Sequence, residues 1–225
     1  MPKAIVSINF FGHNEPSFSS LPAEYAPLNK KFGKAAYRYY IGTSWAGLNV
    51  IGKGRLEGCK SPKGKLYFYD YNSALNEPDN KALAQKVLDK INVEIKDKDE
   101  DGNALERVFL ITGYSAGGVS AMHMARLLKA NTFPIFYIGL ADAAFQRNES
   151  EYLMSTAGFT AKYMKNYYQT KENQPDVSEI HDEVLGFSNF NLNDNVAKES
   201  EFHKSAIKVA NDRMFDDVKW CLENC

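Results

Sequence analysis

Ser115 sits in Gly113-Tyr114-Ser115-Ala116-Gly117, a Gly-x-Ser-x-Gly run. It falls between an apolar stretch, Val108 to Thr112, and a stretch with Val119, Met122, Leu127 and Leu128 at helical intervals. A serine so placed can act as a nucleophile in acyl transfer. Where a strand turns directly into a helix, side chains two residues either side of the corner would collide, and glycines at 113 and 117 remove that collision. The corner holds the hydroxyl above a sheet, and the helix that starts there aims backbone N–H groups at an oxyanion forming beside Ser115. Ala116 offers one such donor, and Gly12, at the exit of the first strand, offers a second.

A serine hydroxyl needs a base, usually histidine, and the histidine needs a carboxylate to fix its tautomer and stabilise its cation. Asp142 stands among Leu140, Ala141, Ala143 and Ala144, where a lone carboxylate calls for a partner. Its structural alternative is a cap for the segment that follows the strand. Four histidines compete for the role of base. His123 lies about two turns into the elbow helix and is expected to pack. His13, beside Gly12, and Tyr114, beside the serine, are secondary candidates that would line the site. His181 stands among Glu179, Asp182 and Glu183, which suggests an exposed loop, and it is the second choice as base. His203 follows the Asn-rich loop 189–195 and precedes a terminal helix, the place for a triad base, and is the first choice.

Elements must carry these groups to one place. Ala4 to Phe10 reads as a buried strand, Leu66 to Tyr69 as a second, and Asp79 to Ile91 as an amphipathic helix. The charged run Glu94 to Gly102 reads as a solvated loop. Val108 to Thr112 and Thr132 to Leu140 are strands, Tyr163 to Gln169 a short one, and Asp212 to Leu222 a terminal helix. This alternation predicts an α/β fold: one domain over 1–225, a mostly parallel central sheet and helices on both faces in three layers. Residues 11–65, rich in glycine and aromatics, read as an irregular or hairpin insertion near the site. In such sheets ligands bind at the carboxyl ends of the strands, where Gly12, His13, Asp70, Ser115 and Asp142 all fall.

The 225 residues carry 27 basic and 28 acidic side chains, so no broad field draws nucleic acid or anionic lipid. No apolar run is long enough for a membrane span, and the first ten residues lack a signal-peptide core. The expectation is a protein cytoplasmic as synthesised, with any secretion following a route without a cleavable signal peptide. Cys59, Cys221 and Cys225 lack metal-site spacing and suit free thiols, with a bridge from Cys59 to the C-terminal pair as the alternative. The glycines of 113–118 match neither Gly-Lys-Ser/Thr nor Gly-x-Gly-x-x-Gly, which argues against a nucleotide cradle.

The segments Gly113-Tyr114-Ser115-Ala116-Gly117-Gly118, Gly139-Leu140-Ala141-Asp142-Ala143-Ala144 and Asn166-Tyr167-Tyr168-Gln169, with a late histidine before an amphipathic helix, resemble bacterial lipase-like α/β-hydrolases. More distantly they resemble lipase effectors of type VI secretion, whose Tyr-Tyr-x-Gly-x-Gly-Thr segment is similar to Tyr39-Tyr40-Ile41-Gly42-Thr43 with one glycine fewer. The resemblance covers roughly 108–222. It implies a Ser115, Asp142, His203 triad that hydrolyses a small-molecule or lipid carboxylic ester without metal or organic cofactor, and, for a secreted effector, a cognate immunity protein as partner. A peptidase or acyltransferase on the same triad, and a non-enzymatic hydrolase-like scaffold that binds a partner protein, are the alternative readings.

Overall fold

The computed structural model describes residues 3–12, 61, 64–74, 77–146, 150–171, 179–196 and 202–225. Most of the expected 11–65 insertion, including His13, Tyr39 to Thr43 and Cys59, lies outside the described residues. In chain order the elements are β1 (Lys3–Phe11), β2 (Gly64–Asn72), α1 (Glu77–Glu94), β3 (Glu106–Tyr114), α2 (Gly117–Ala130), β4 (Ile135–Ala141) and β5 (Phe145–Gln146). There follow α3 (Ser150–Leu153), β6 (Tyr163–Tyr168), β7 (Glu179–Ile180), β8 (Ser188–Asn191) and α4 (Phe202–Asn224).

Six strands form one sheet in the order β2-β1-β3-β4-β6-β8, every neighbouring pair parallel. A parallel sheet is covered on both faces, so its strands are apolar on both. In β1, Ala4, Val6, Ile8 and Phe10 join the core shared with Ala84, Val87, Leu88 and Ile91 of α1 and with Met122 and Leu128 of α2. Ile5 and Phe11 enter the opposite core, formed with Ala206, Ile207, Ala210, Met214 and Val218 of α4. Three layers result, as the alternation of elements predicts. Each large apolar side chain so buried contributes roughly 1.5–3 kcal/mol.

Of the polar residues that interrupt β1, Asn9 has polar in-register partners. Asn9 pairs with both Asp70 and Thr112 across the sheet. Its Nδ2 donates to Asp70 at 2.8 Å, and Thr112 Oγ1 donates to its Oδ1 at 2.7 Å. Asp70 is therefore held on the sheet two residues in from the strand ends. The charged run after α1 is solvated in its middle, but Arg107 anchors its start: the guanidinium donates to the Ile95 carbonyl at 2.5 Å and to Asp97 at 2.7 Å.

Two features differ from the periodicity. The terminal helix begins at Phe202 rather than near Asp212, because Ala206, Ile207 and Ala210 continue its buried face. His203 thus lies in the first turn of that helix instead of before it. The pair β5 and β7, antiparallel through Phe145–Ile180 and Gln146–Glu179, has only two residues per strand and leaves no periodic trace. Among the described residues no helix is long and apolar enough to cross a membrane.

The chain steps outward from β1 to β2, then returns across β1 to β3, so the order reverses between β1 and β3. The crevice beyond the carboxyl ends of those two strands is where open α/β sheets bind ligands. Gly12 and Ser115 both stand there.

Candidate active site

Ser115 follows β3 directly and adopts a φ of 51°, in the left-handed region that non-glycine residues avoid. Tight packing holds it there. A Cβ on Gly113 would stand 2.5 Å from the Gly117 carbonyl oxygen, and one on Gly117 would stand 2.2 Å from that of Phe10. Both are below any real contact, so β3, α2 and the end of β1 approach this closely only with glycine at 113 and 117. Gly12 is equally near the serine: a Cβ there would lie 3.1 Å from Ser115 Cβ and 3.6 Å from its Oγ. Ala116 is the N-cap of α2, and the carbonyl of Ser115 accepts from Gly118 N–H at 2.9 Å, so the helix starts immediately behind the serine.

The main chain ties Ser115 to the end of β4 on both sides of Asp142. Ser115 N–H donates to the Ala141 carbonyl at 3.1 Å, and Ala144 N–H donates to the Ser115 carbonyl at 3.0 Å. Asp142 is itself left-handed, with φ 45°, and its N–H donates to the Tyr167 carbonyl at 2.7 Å. The side chain has no exposed surface. A buried carboxylate must be satisfied by donors, and this one is. Gln169 gives its N–H to Oδ1 at 3.1 Å and its Nε2–H to Oδ2 at 3.2 Å. His203 Nδ1–H donates to Oδ2 at 2.5 Å. Asp142 is therefore an acceptor for two side chains from distant parts of the chain and does not cap the segment after β4.

His203 is a quarter exposed, and its engaged Nδ1 fixes the tautomer in which Nε2 can take a proton. His181 departs from the exposed loop position its acidic neighbours suggest. The ring is buried, with Nδ1 3.3 Å from the Asp142 carbonyl oxygen and 3.4 Å from Oδ1, and its centroid lies 4.9 Å from that of His203. The β5–β7 pairing explains the placement, since it sets Ile180 opposite Phe145, three residues beyond Asp142. Asn166 adds a second tie by donating to the Asp182 carbonyl at 2.9 Å.

These contacts set the electrostatics. Burial alone would raise the Asp142 carboxyl, but hydrogen bonds and charge from His181 and His203 outweigh it and hold the group below its ordinary range. Burial alone would lower His181, but the hydrogen bond to Asp142 and its charge, with Glu179, raise it above its ordinary 6.5. The ligand-bearing atoms of Asp142, His181 and His203 lie within 4.8 Å of one another. The 2.5 Å separation of His203 Nδ1 and Asp142 Oδ2 is hydrogen-bond spacing.

Of the candidates from sequence, the structure gathers Ser115, Ala116, Gly12, Asp142, His203 and His181 at one edge of the sheet. Tyr114 is buried in the core under α4 and stacks on Phe11 at 5.9 Å. His123 is buried in α2, as expected for a packing residue. His13 lies outside the described residues. Cys221 and Cys225 are both buried, and Cys221 is a free thiol. Gln169 is the participant sequence reasoning missed; its position one residue past β6, at the same edge as Asp142, is the signal that could have found it. No protein-family model matches this chain, and no curated protein does.

Proposed function

We propose that this protein is a serine hydrolase of α/β-hydrolase type that cleaves a carboxylic ester of a small molecule or lipid. The observation that carries the reading is the left-handed serine at the β3–α2 corner, tied by main-chain bonds on both sides of an aspartate that holds a histidine through Nδ1. A strained corner serine, a buried acid and an imidazole that this acid holds through Nδ1 are the parts a charge-stabilised nucleophile requires.

In the mechanism, Nε2 of His203 takes the hydroxyl proton as Ser115 Oγ bonds to the ester carbonyl carbon. Asp142 stabilises the imidazolium. The negative charge moves to the carbonyl oxygen, where N–H groups of Ala116 and Gly12 receive it. Collapse expels the alcohol, which leaves with the proton from His203, and the acyl group stays on Ser115. Water, deprotonated by His203, then attacks the acyl carbon, releasing the carboxylic acid and restoring the hydroxyl.

A serine-reactive fluorophosphonate tests the assignment, together with a series of p-nitrophenyl acyl esters. The reading expects labelling and ester hydrolysis that vanish in Ser115→Ala. Labelling that persists in that variant, or no labelling by acyl or alkyl probes, overturns it and favours the scaffold reading.

A further inference from the structure

We infer that His181 is a positioning residue of this site: buried between Asp142 and His203, it clamps the left-handed Asp142 backbone through its carbonyl and shares the carboxylate, so that His203 keeps one orientation. The inference rests on the hydrolase reading for its kinetic part and on geometry alone for the rest.

Three observations converge. Asp142 has φ 45°, a conformation that costs an aspartate free energy unless both of its peptide groups are held. Its N–H is held by the Tyr167 carbonyl, and its C=O is the group His181 Nδ1 reaches at 3.3 Å. The same nitrogen lies 3.4 Å from Oδ1, the carboxylate oxygen that His203 does not use. The ring of His181 packs against that of His203 with centroids 4.9 Å apart, limiting how the second ring can turn. A carbonyl acceptor requires Nδ1 to carry a hydrogen whether or not the ring is charged, so the clamp works in neutral His181.

Charge adds a second consequence. The groups facing His181 are Asp142 at the end of β4, His203 on α4 and Glu179 on β7, while Asp182 and Glu183 beside it are exposed. A protonated His181 would put a second positive charge against the imidazolium that His203 must form during the reaction. Protonation of His181 therefore opposes the reaction, and His181 contributes to the acid limb of activity.

Two variants separate these roles in the full chain. His181→Asn keeps a side-chain N–H donor and removes the titration; His181→Phe keeps a ring against His203 and removes the donor. Two readouts apply: the low-field proton NMR signal of His203 Nδ1–H on Asp142, which needs no activity, and the fluorophosphonate labelling rate as a function of pH. The expected result is a signal present in the native protein and in His181→Asn but broadened or shifted in His181→Phe. The labelling rate should fall roughly 10–100-fold in His181→Phe and recover to within about threefold of native in His181→Asn. The acid limb should become less steep in His181→Asn, which lacks one of the groups that titrate there. A His181→Phe protein with native signal, rate and slope overturns the inference while leaving the hydrolase reading intact. If His181→Phe does not fold, an acid limb of unchanged steepness in His181→Asn overturns it instead. A native protein that never labels refutes the hydrolase reading, and the NMR comparison then decides the role of His181 by itself.

Discussion

Two site residues, Ser115 and Asp142, are left-handed without being glycine, and each conformation is held by neighbours rather than by its own preference. A side chain with a Cβ disfavours this region by about 1 kcal/mol, whereas glycine does not. Ser115→Gly should therefore be more stable than Ser115→Ala by about 1 kcal/mol in urea unfolding, while both lack labelling. Equal stabilities would show that the corner carries no such strain. Asp142→Asn tests the acid. An amide has one acceptor oxygen where the carboxylate has two, so it cannot serve Gln169 and His203 as the carboxylate does, and it can present a donor to Nδ1, favouring the wrong tautomer. Labelling should slow by roughly 10³–10⁴-fold with the fold retained by circular dichroism.

The corner depends on how closely β1, β3 and α2 approach one another. Gly117→Ala would drive a methyl group into the Phe10 carbonyl, which sits on a backbone that cannot move without breaking β1 from β3. The expected cost is about 3 kcal/mol, read as a lowered denaturant midpoint. The strongly patterned elements were visible in the residues themselves: β1, β3 and β4 as apolar runs, α1 and α2 as helical faces. Ser115 and Asp142 were legible because each closes such a run at the sheet's carboxyl edge. The burial of His181 was not, since Asp182 and Glu183 do face solvent and only the imidazole between Ile180 and Asp182 turns inward. The contact that turns it inward is a two-residue ladder, too short for any period to register. The first three turns of α4 give a weaker signal for a related reason: alanines at 206 and 210 share the core face with Ile207, which dilutes its apolar pattern.

Stability and the site meet in α4, which covers one face of the sheet and carries His203 in its first turn. Met214, fully buried on that helix, lies about three turns from His203. Met214→Ala should cost about 2–4 kcal/mol of stability, yet change labelling of the folded protein by less than about threefold. A large loss of labelling well below the unfolding midpoint would mean that the core and the site are not separable. Stability of the whole molecule should also follow pH through the buried cluster. Asp142 is held below its ordinary value, so its contribution is present above about pH 4 and is lost as pH falls through the folded value. His181 is held above its ordinary value, so its contribution is present below about pH 6.5 and is lost as pH rises through the folded value. The contribution of the pair is therefore greatest between about pH 4 and 6.5, and Tm measured across pH should show the alkaline decline flatten in His181→Asn. The placement of His203 on α4 also orders events during translation. A ribosome that has passed β8 has already made the serine and the aspartate, but it has made neither the imidazole that Asp142 holds through Nδ1 nor the cover over Val108, Leu110 and Tyr137. A nascent or truncated polypeptide would thus pair a carboxylate that lacks His203 with a bare greasy surface, the kind chaperones and quality-control proteases recognise, and α4 would bring His203 to Asp142 and hide that surface in a single step.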